Sequence, residues 1–346
     1  MNVALDHRPI AWASDEHVHV VIAGDMGQAR LAATHTALVS HYPNYERDCK
    51  LKTRITLITT TEARDELTFE FAELFDNSFW RTVDLRGDCP KIESHRPHFD
   101  GRRKEFVDVE WEFVIASLSN SFVQEKLRKW DADGRQHLNV LLCYDDADKN
   151  SRYADRLSRR LTHSKVIALK DEDVDMSPLL ELAKYLHYFY NASYKLKHLP
   201  VELPQDDVEE AWKDVDDITF QLSNMFNVLT IPVKMRTLGH DSADWQTFYA
   251  LTADEIEQLT ATEHNRWSVE RLIQGTRPCT DEEQAAVLGD ISLKGKFKKE
   301  RGAHFDLVAF SELGLDDSGL PVSRYDRDLT SVIPLIVKSY ADAHHG

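Results

Sequence analysis

The stretch "ATEHNRWSVERLIQG" (261–275) concentrates side chains that can hold a ligand. In a helix, His264, Trp267 and Arg271 lie at three- and four-residue steps and share one side. An indole ring offers a stacking face for a purine, and a guanidinium binds a phosphate through two parallel hydrogen bonds. Asn265 adds an amide that can pair with a base edge. These residue types favour recognition of a nucleotide-like anion.

The same spacing also fits a plain amphipathic helix, in which Arg266 and Glu270 pair at the surface. In that interpretation Trp267 faces the core instead of a ligand. Thr252-x-x-Glu255 is a capping box that predicts where the helix begins, and the glycine at the end of the quoted stretch predicts where it stops. The residues alone leave both interpretations open.

A second candidate is the lysine-rich run "KGKFKKERG" (294–302), whose glycines predict a loop. It is either a solvated charged loop or an anion-binding loop, and in the second case Lys296 and Lys298 join the ligand site. The chain has 42 Lys and Arg against 59 Asp and Glu, a net charge of −17, so a local basic cluster is unusual here. The same charge argues against nucleic acid or an anionic membrane surface as a partner.

The elements that must position these residues follow from the rest of the chain. Six apolar runs alternate with helical patterns in the first half, at 18–23, 54–59, 80–85, 107–117, 137–145 and 164–170. Such alternation predicts a doubly wound, mainly parallel, Rossmann-like sheet covered by helices on both faces. The helical stretch 176–196 is expected to pack on that sheet, and Pro232 predicts a kink or a break in the next helical stretch.

In such sheets the ligand lies over the carboxyl ends of the strands, beside the first turn. That turn keeps two glycines of a GxGxxG fingerprint, with Ile22 in place of the first, and no acid ends the second strand. The glycines either bring the backbone close to a phosphate or merely permit a tight turn and close packing. The candidate contacts for NAD(H) or another nucleotide are Gly24, Asp25, Met26, Gly27, Gln28, Thr59 and Thr60.

Two resemblances extend these predictions. "HVHVVIAGDMGQA" and the alternation after it resemble the TrkA-type NAD-binding domain of potassium-uptake regulators. "EHNRWSVERLIQGT", "FDLVAFSEL" and "YDRDLTSVI" resemble, in this order, the RyR domain of ryanodine receptors and some bacterial proteins, with Thr276 and Ala309 departing from the usual pattern. The resemblances imply a Rossmann-like domain over 1–197, a helical connector over 198–245 and a smaller, mainly helical RyR-like domain over 246–346.

The RyR resemblance implies a non-catalytic ligand-sensing or regulatory protein that binds a nucleotide or an NAD-derived small molecule. One alternative is a regulatory subunit of a potassium transporter or channel, whose membrane part is a separate chain. Another is a nucleotide-processing or NAD-dependent enzyme, in which His264 acts with Glu263 or Glu270. An effector protein as partner and a homo-oligomer are compatible with each of the three.

The remaining composition indicates a cytoplasmic protein without a metal centre. No run approaches the ~18–20 apolar residues of a membrane span, and residues 1–13 contain no apolar signal-peptide segment. The cysteines show no CxxC spacing, which argues against a zinc site or a disulfide framework. These cysteines are Cys49, Cys89, Cys143 and Cys279.

Overall fold

A computed structural model describes most of the chain. The described residues are 4–97, 104–169, 176–196, 205–213, 215, 218–240, 250–316 and 318–345. The domain boundaries predicted at 197/198 and 245/246 lie outside these residues.

A seven-stranded sheet forms the centre of the first half of the chain. Its strands are β1 (His17–Gly24), β2 (Thr53–Thr59), β3 (Trp80–Asp84), β4 (Lys91–His95), β5 (Val109–Ile115), β6 (Gln136–Cys143) and β7 (Lys165–Ala168). They lie in the order β4-β3-β5-β2-β1-β6-β7, and every neighbouring pair is parallel except β3 and β4. The prediction of a mainly parallel, Rossmann-like α/β sheet is confirmed, and the six predicted strands are its six parallel members.

The antiparallel strand β4 was missed by the sequence patterns. It forms a hairpin with β3 at the edge of the sheet, and its side chains are almost all exposed. An edge strand that is exposed on both faces has no apolar run to reveal it, because it buries too little. Its sequence, "KIESH", accordingly shows no strand pattern of its own.

The direction in which strands are added to the sheet reverses at β1, which lies between β2 and β6. The strands on one side of β1 precede those on the other side in the chain, so the carboxyl ends of β1 and β6 form the switch point of the sheet. The order departs from the usual Rossmann order on the β2 side, because β5 occupies the place between β2 and β3.

Helices cover both faces of the sheet. One face carries α1 (Met26–Val39), α3 (Thr61–Glu70) and α4 (Ala72–Asn77), and the other carries α5 (Ser121–Asp131) and α6 (Ala147–Ser158). The short helix α2 (Asn44–Arg47) follows α1. The strand residues are buried on consecutive positions, as in β1, because helices exclude water from both faces.

A helix from the second half of the chain shares this layer. The helix α11 (Ala253–Ile273) places Val269 and Leu272 in the same core as α1, α4 and one face of the sheet. The hydrophobic core is therefore continuous between the sheet and the region that carries the opening stretch.

A second, purely helical core lies beside the sheet. It is built from α7 (Ser177–Leu196), α8 (Gln205–Lys213), α9 (Ile218–Leu229), α10 (Ile231–Thr237) and α15 (Ile333–His345). The expectation that 176–196 packs on the sheet is wrong. Its buried residues Leu182, Leu186 and Phe189 contact the helical core instead, because the faces of the sheet are already covered by other helices. Pro232 lies at the first turn of α10, where it breaks the helical stretch as expected.

The last region contains α12 (Asp281–Gly289), α13 (Leu293–Arg301), a 3-10 turn (Phe310–Glu312), α14 (Arg324–Ser331) and the strand pair β8 (Arg277–Pro278) and β9 (Ala303–His304). The lysine-rich run, predicted as a loop, is the helix α13. Phe297 anchors this helix in a small core, and Gly302, with φ of +61°, ends it in the left-handed conformation. Within the described ranges, no helix combines the length and apolar character needed to cross a bilayer.

Candidate functional site

The helix α11 begins and ends where the sequence predicts. Thr252 and Glu255 form a complete capping box, and Gly275 adopts φ of +79° just beyond the last turn. His264, Trp267 and Arg271 lie along one side of this helix and line the same cleft. The predicted shared face is therefore a wall of a cavity.

The cleft has a volume of about 500 Å³ and lies between the helical core and the last region of the chain. The helices α7 and α9 form one side, and α11, α13, β9 and α14 form the rest. Its lining is aromatic and charged: Tyr190, Phe220, His264, Trp267, Arg271, Lys294, Gly295, Lys298, His304, Phe305, Asp306, Asp316, Ser318, Val322, Arg324, Tyr325 and Asp326. This mixture of rings and cations is typical of a site for a small aromatic anion.

The indole of Trp267 has two histidines and an arginine as neighbours and is only half-buried. The ring of His304 meets it edge-on, with centroids 4.9 Å apart, and the guanidinium carbon of Arg271 lies 5.8 Å from its centroid. His264 contacts it at 5.7 Å in a tilted arrangement. Trp267 therefore packs against the sheet core and also presents surface to the cleft, so each of the two sequence interpretations describes one part of its surroundings.

The cleft has a positive local field. Burial lowers the pKa of His304, and the cations Lys298, Lys294 and Arg271 lower it in the same direction, to about 3 in all. This imidazole is therefore neutral, and its Nδ1 accepts a hydrogen bond from the backbone N–H of Asp306 at 3.2 Å. The lining contains four Lys and Arg against three Asp, whereas the whole chain has a net charge of −17.

His264 adds a buried imidazole to this wall. Its Nε2 lies 2.9 Å from the carbonyl oxygen of Val308 and its Nδ1 lies 3.3 Å from Oδ2 of Asp326, so an acceptor faces each ring nitrogen. Burial alone would lower the pKa of His264, but the hydrogen bond and charge of Asp326 raise it above its ordinary value. Because both ring nitrogens are engaged by protein acceptors, neither is placed to take a proton from a substrate.

A buried network of charges holds α11 in place. Glu263 accepts from Lys234 Nζ at 2.6 Å and from Arg266 Nε at 2.9 Å, and Glu270 accepts from Arg266 at 2.6 Å and from Ser223 at 3.1 Å. Burial would raise the pKa of Glu263, but Arg266 and Lys234 lower it to about 2. The expectation that Arg266 and Glu270 pair at the surface is wrong, since their side chains are at most 1% exposed.

The predicted site residues Asn265 and Lys296 lie away from the cleft lining. Asn265 is buried on another side of α11 and donates to Oε1 of Glu46 in α2 at 2.9 Å, so it joins the second half of the chain to the first. Lys296 is exposed on α13, whereas Lys294 and Lys298 of that helix line the cleft. A ligand contact by Asn265 or Lys296 stays a prediction.

Ion pairs surround this region. Asp306 binds Lys294 at 2.7 Å, Asp326 binds His264, and Arg327 binds Glu257 on the surface. Residues from distant segments complete the cleft without having been singled out: Tyr190, Phe220, Asp316 and Arg324. Arg324, which pairs with Asp316 at 2.5 Å, precedes the "YDRD" motif and was the only one near a sequence signal.

The first turn of the sheet is built for close packing of two strand ends. A Cβ on Gly24 would lie 2.3 Å from the carbonyl carbon and oxygen of Cys143 at the end of β6. The Asp25 backbone N–H donates to the Cys143 oxygen at 2.9 Å, and Asp25 Oδ2 accepts from the Asp145 N–H at 2.7 Å. Gly24 is therefore required by the contact between β1 and β6.

The other residues predicted to contact a nucleotide at this turn lie in different local environments. Met26 packs partly against the sheet core, while Gly27 and Gln28 are exposed on α1. Thr59 ends β2, and the Thr60 hydroxyl caps α3 by accepting from the Ala63 N–H at 3.3 Å. Contact of these residues with NAD(H) or another nucleotide stays a prediction. Exposed acids at this end of the sheet include Asp25, Asp145, Asp146 and Asp148.

No family model, curated protein or solved structure matches the chain. The resemblances to the TrkA-type domain and to the RyR domain therefore stay predictions. Among the described residues, no group of three or more His, Cys, Asp or Glu side chains is placed to hold a metal ion. The chemistry of the site must be argued from the geometry of the cleft itself.

Proposed function

We propose that this protein is a ligand sensor that binds a nucleotide or a nucleotide-derived anion in the cleft beside α11. The observation that carries the proposal is the combination of a half-exposed indole, Trp267, with the cations Arg271, Lys294 and Lys298 in one cleft of a strongly acidic chain. The likeness of these segments to the RyR domain accords with it. The proposal includes a cytoplasmic location, where nucleotides are abundant.

The base and the phosphates of a nucleotide would contact different residues of the cleft. A base gains dispersion and stacking energy on the indole of Trp267. The guanidinium of Arg271 beside it donates from Nη1 to Gln274 Oε1 at 3.0 Å, and its positive charge attracts a phosphate. Lys298 extends the same positive surface along α13. Because the surrounding protein is negative, an anion is attracted to this region and repelled from most of the remaining surface.

Sensing is favoured over turnover by the state of the groups that an enzyme would need. The ring nitrogens of His264 face acceptors, so it is unsuited to act as a base with Glu263 or Glu270. Those two carboxylates are bound by Lys234 and Arg266 in the interior. A sensor needs only binding energy that differs between two arrangements of the protein.

The cleft is suited to such coupling because separate parts of the chain line it. Tyr190 and Phe220 come from the helical core, whereas Trp267 and Lys298 come from α11 and α13. A ligand that contacts both sides stabilises their closed arrangement in proportion to its preference for it. We infer that this closure is the signal passed to an effector.

The test is binding to the full chain by calorimetry and thermal unfolding, with ATP, NAD+, NADH, ADP-ribose and a cyclic dinucleotide. At least one should raise Tm, since a ligand at about 100 times its Kd stabilises the folded state by about 2.7 kcal/mol. Trp267→Ala should abolish that shift. Trp12→Ala, which removes another partly exposed indole far along the chain, should leave it unchanged.

Two outcomes would overturn the proposal. One is the absence of a shift with every nucleotide on a protein shown to be folded. The other is chemical conversion of the bound nucleotide, detected by mass spectrometry after overnight incubation, which would favour the enzyme alternative.

A further inference from the structure

Asp306, a residue of the cleft lining, has a carboxylate oxygen without a hydrogen-bond partner. Asp306 follows β9 and is only 6% exposed, and its Oδ2 accepts from Lys294 Nζ at 2.7 Å. Its other carboxylate oxygen, Oδ1, is buried without a hydrogen bond. A buried carboxylate oxygen that lacks a donor costs folding free energy, and a donor on a bound ligand would offset that cost.

Asp306 lies beside the surface on which a base would stack. The His304 ring meets the Trp267 indole edge-on at 4.9 Å, and its Nδ1 lies 3.8 Å from Oδ2 of Asp306. The indole and the carboxylate are thus separated by one imidazole along the same wall of the cleft. A planar group stacked on Trp267 would bring its edge, or the sugar attached to it, towards Asp306.

The carboxylate also sets the direction in which a nucleotide can lie. A phosphate next to Asp306 would be repelled, whereas Arg271 and Lys298 attract it elsewhere in the cleft. The phosphates therefore belong at Arg271 and Lys298, and the uncharged end of the nucleotide belongs at Asp306. This orientation leaves an uncharged N–H or O–H as the group that meets Oδ1.

Building on the proposed function, we propose that Asp306 selects the ligand by accepting a hydrogen bond on Oδ1 from an uncharged donor, either a base amino group or a ribose hydroxyl. An analogue without that donor leaves the buried carboxylate oxygen unpaired in the complex. Sites that hydrogen-bond a ligand group reject analogues lacking it more strongly than purely apolar pockets reject analogues of a different size. Asp306 is thus a specificity-determining residue, distinct from the cations that supply affinity.

The experiment compares four triphosphates by calorimetry: ATP, purine riboside triphosphate, 2′-deoxyATP and 3′-deoxyATP. Each analogue lacks one donor of ATP, namely the amino group or one of the two hydroxyls. We expect one analogue to bind the wild-type chain about tenfold or more weakly than ATP, as for a hydrogen bond to a charged group. The identity of that analogue shows whether the donor is on the base or on the ribose.

The same series on Asp306→Ala isolates the contribution of the carboxylate. There the preference should fall below about twofold, because the acceptor is gone. Asp306→Asn, which keeps an acceptor oxygen, should retain part of it. Glu312→Gln, which removes an acid of the neighbouring 3-10 turn outside the cleft lining, should retain all of it. Circular dichroism of each variant establishes that it is folded.

Two results would overturn this inference while leaving the proposed function intact. They are equal binding of all four triphosphates to the wild type, and a preference of unchanged size in Asp306→Ala. If none of the four binds the folded wild-type chain, adenine nucleotide binding in the cleft fails, and the role of Asp306 fails with it.

Discussion

Two regions of this chain were candidates for nucleotide binding, and they differ in charge and in packing. At the switch point of the sheet, Gly24 packs against the end of β6, and Asp25 binds the backbone of Asp145. In the cleft beside α11, Arg271 and Lys298 accompany a half-exposed indole. A glycine-rich turn after the first strand can therefore serve the packing of strand ends. The features suited to an anion lie on a different element.

The largest expected effect concerns the buried charges that hold α11. Arg266→Met leaves Glu263 and Glu270 with fewer partners in the interior, and breaking a buried pair in this way costs about 3–5 kcal/mol of unfolding free energy. Urea unfolding measures this loss. The control is Arg327→Met, which removes an exposed pair with Glu257 and should cost less than about 1 kcal/mol. Equal losses in the two variants would mean that the interior network does not stabilise α11.

The second effect concerns the switch point. Gly24→Ala forces a methyl group against the Cys143 backbone, and overpacking of this kind costs about 3 kcal/mol. Gly27→Ala is the matched control, because a Cβ there has no neighbour within 4 Å and alanine favours the helix by up to about 1 kcal/mol. Urea unfolding of both variants compares them. A tolerated Gly24→Ala would remove the packing explanation of this glycine.

A third effect concerns the pH dependence of stability. The pKa of Glu263 is about 2 in the folded chain against 4.5 for the free group, so its contribution is complete above pH 4.5 and is lost as pH falls towards 2. From pH 5 to pH 3 this loss is up to about 2 kcal/mol. Glu263→Gln should show a correspondingly shallower decline, whereas Glu257→Gln, at an exposed pair, should follow the wild type. Parallel curves for all three proteins would contradict the assigned ion pairs.

The smallest effect separates two lysines of one helix. Lys298 lines the cleft and Lys296 is exposed outside its lining. Lys298→Gln should weaken nucleotide binding by about threefold to tenfold, and added salt should reduce the difference. Lys296→Gln should change Kd by less than about twofold. A greater loss from Lys296→Gln would restore the predicted contact at that residue and place the phosphates elsewhere.

Sequence patterns predicted the local features of this molecule well. The six parallel strands, the capping box at Thr252 and the end of α11 at Gly275 depend on neighbours in the sequence, so their patterns are visible there. The shared side of His264, Trp267 and Arg271 follows from helical geometry alone. The helix α13 was predicted as a loop because its glycines disfavour a helix, while the burial of Phe297 that supports the helix depends on distant residues.

What sequence patterns could not supply is the direction in which each side of α11 faces. Glu263 and Arg266 are buried in a charge network that Lys234 of α10 completes, and Asn265 faces inward because Glu46 meets it from a segment 219 residues away. An exposed helix with i,i+4 ion pairs would have the same residue types at the same spacing. The pairing of Asp306 with Lys294 in the cleft lining depends in the same way on how β9 and α13 pack together.

The central claim is that the nucleotide binds in the cleft beside α11 rather than at the switch point of the sheet. The most direct test is calorimetric titration of one binding nucleotide into Arg271→Gln and Asp25→Asn, both shown to be folded. We expect Arg271→Gln to raise Kd by about tenfold or more, because a charge-assisted phosphate contact is lost, and Asp25→Asn to leave Kd within about twofold. A large change in Asp25→Asn together with an unchanged Kd in Arg271→Gln would contradict it.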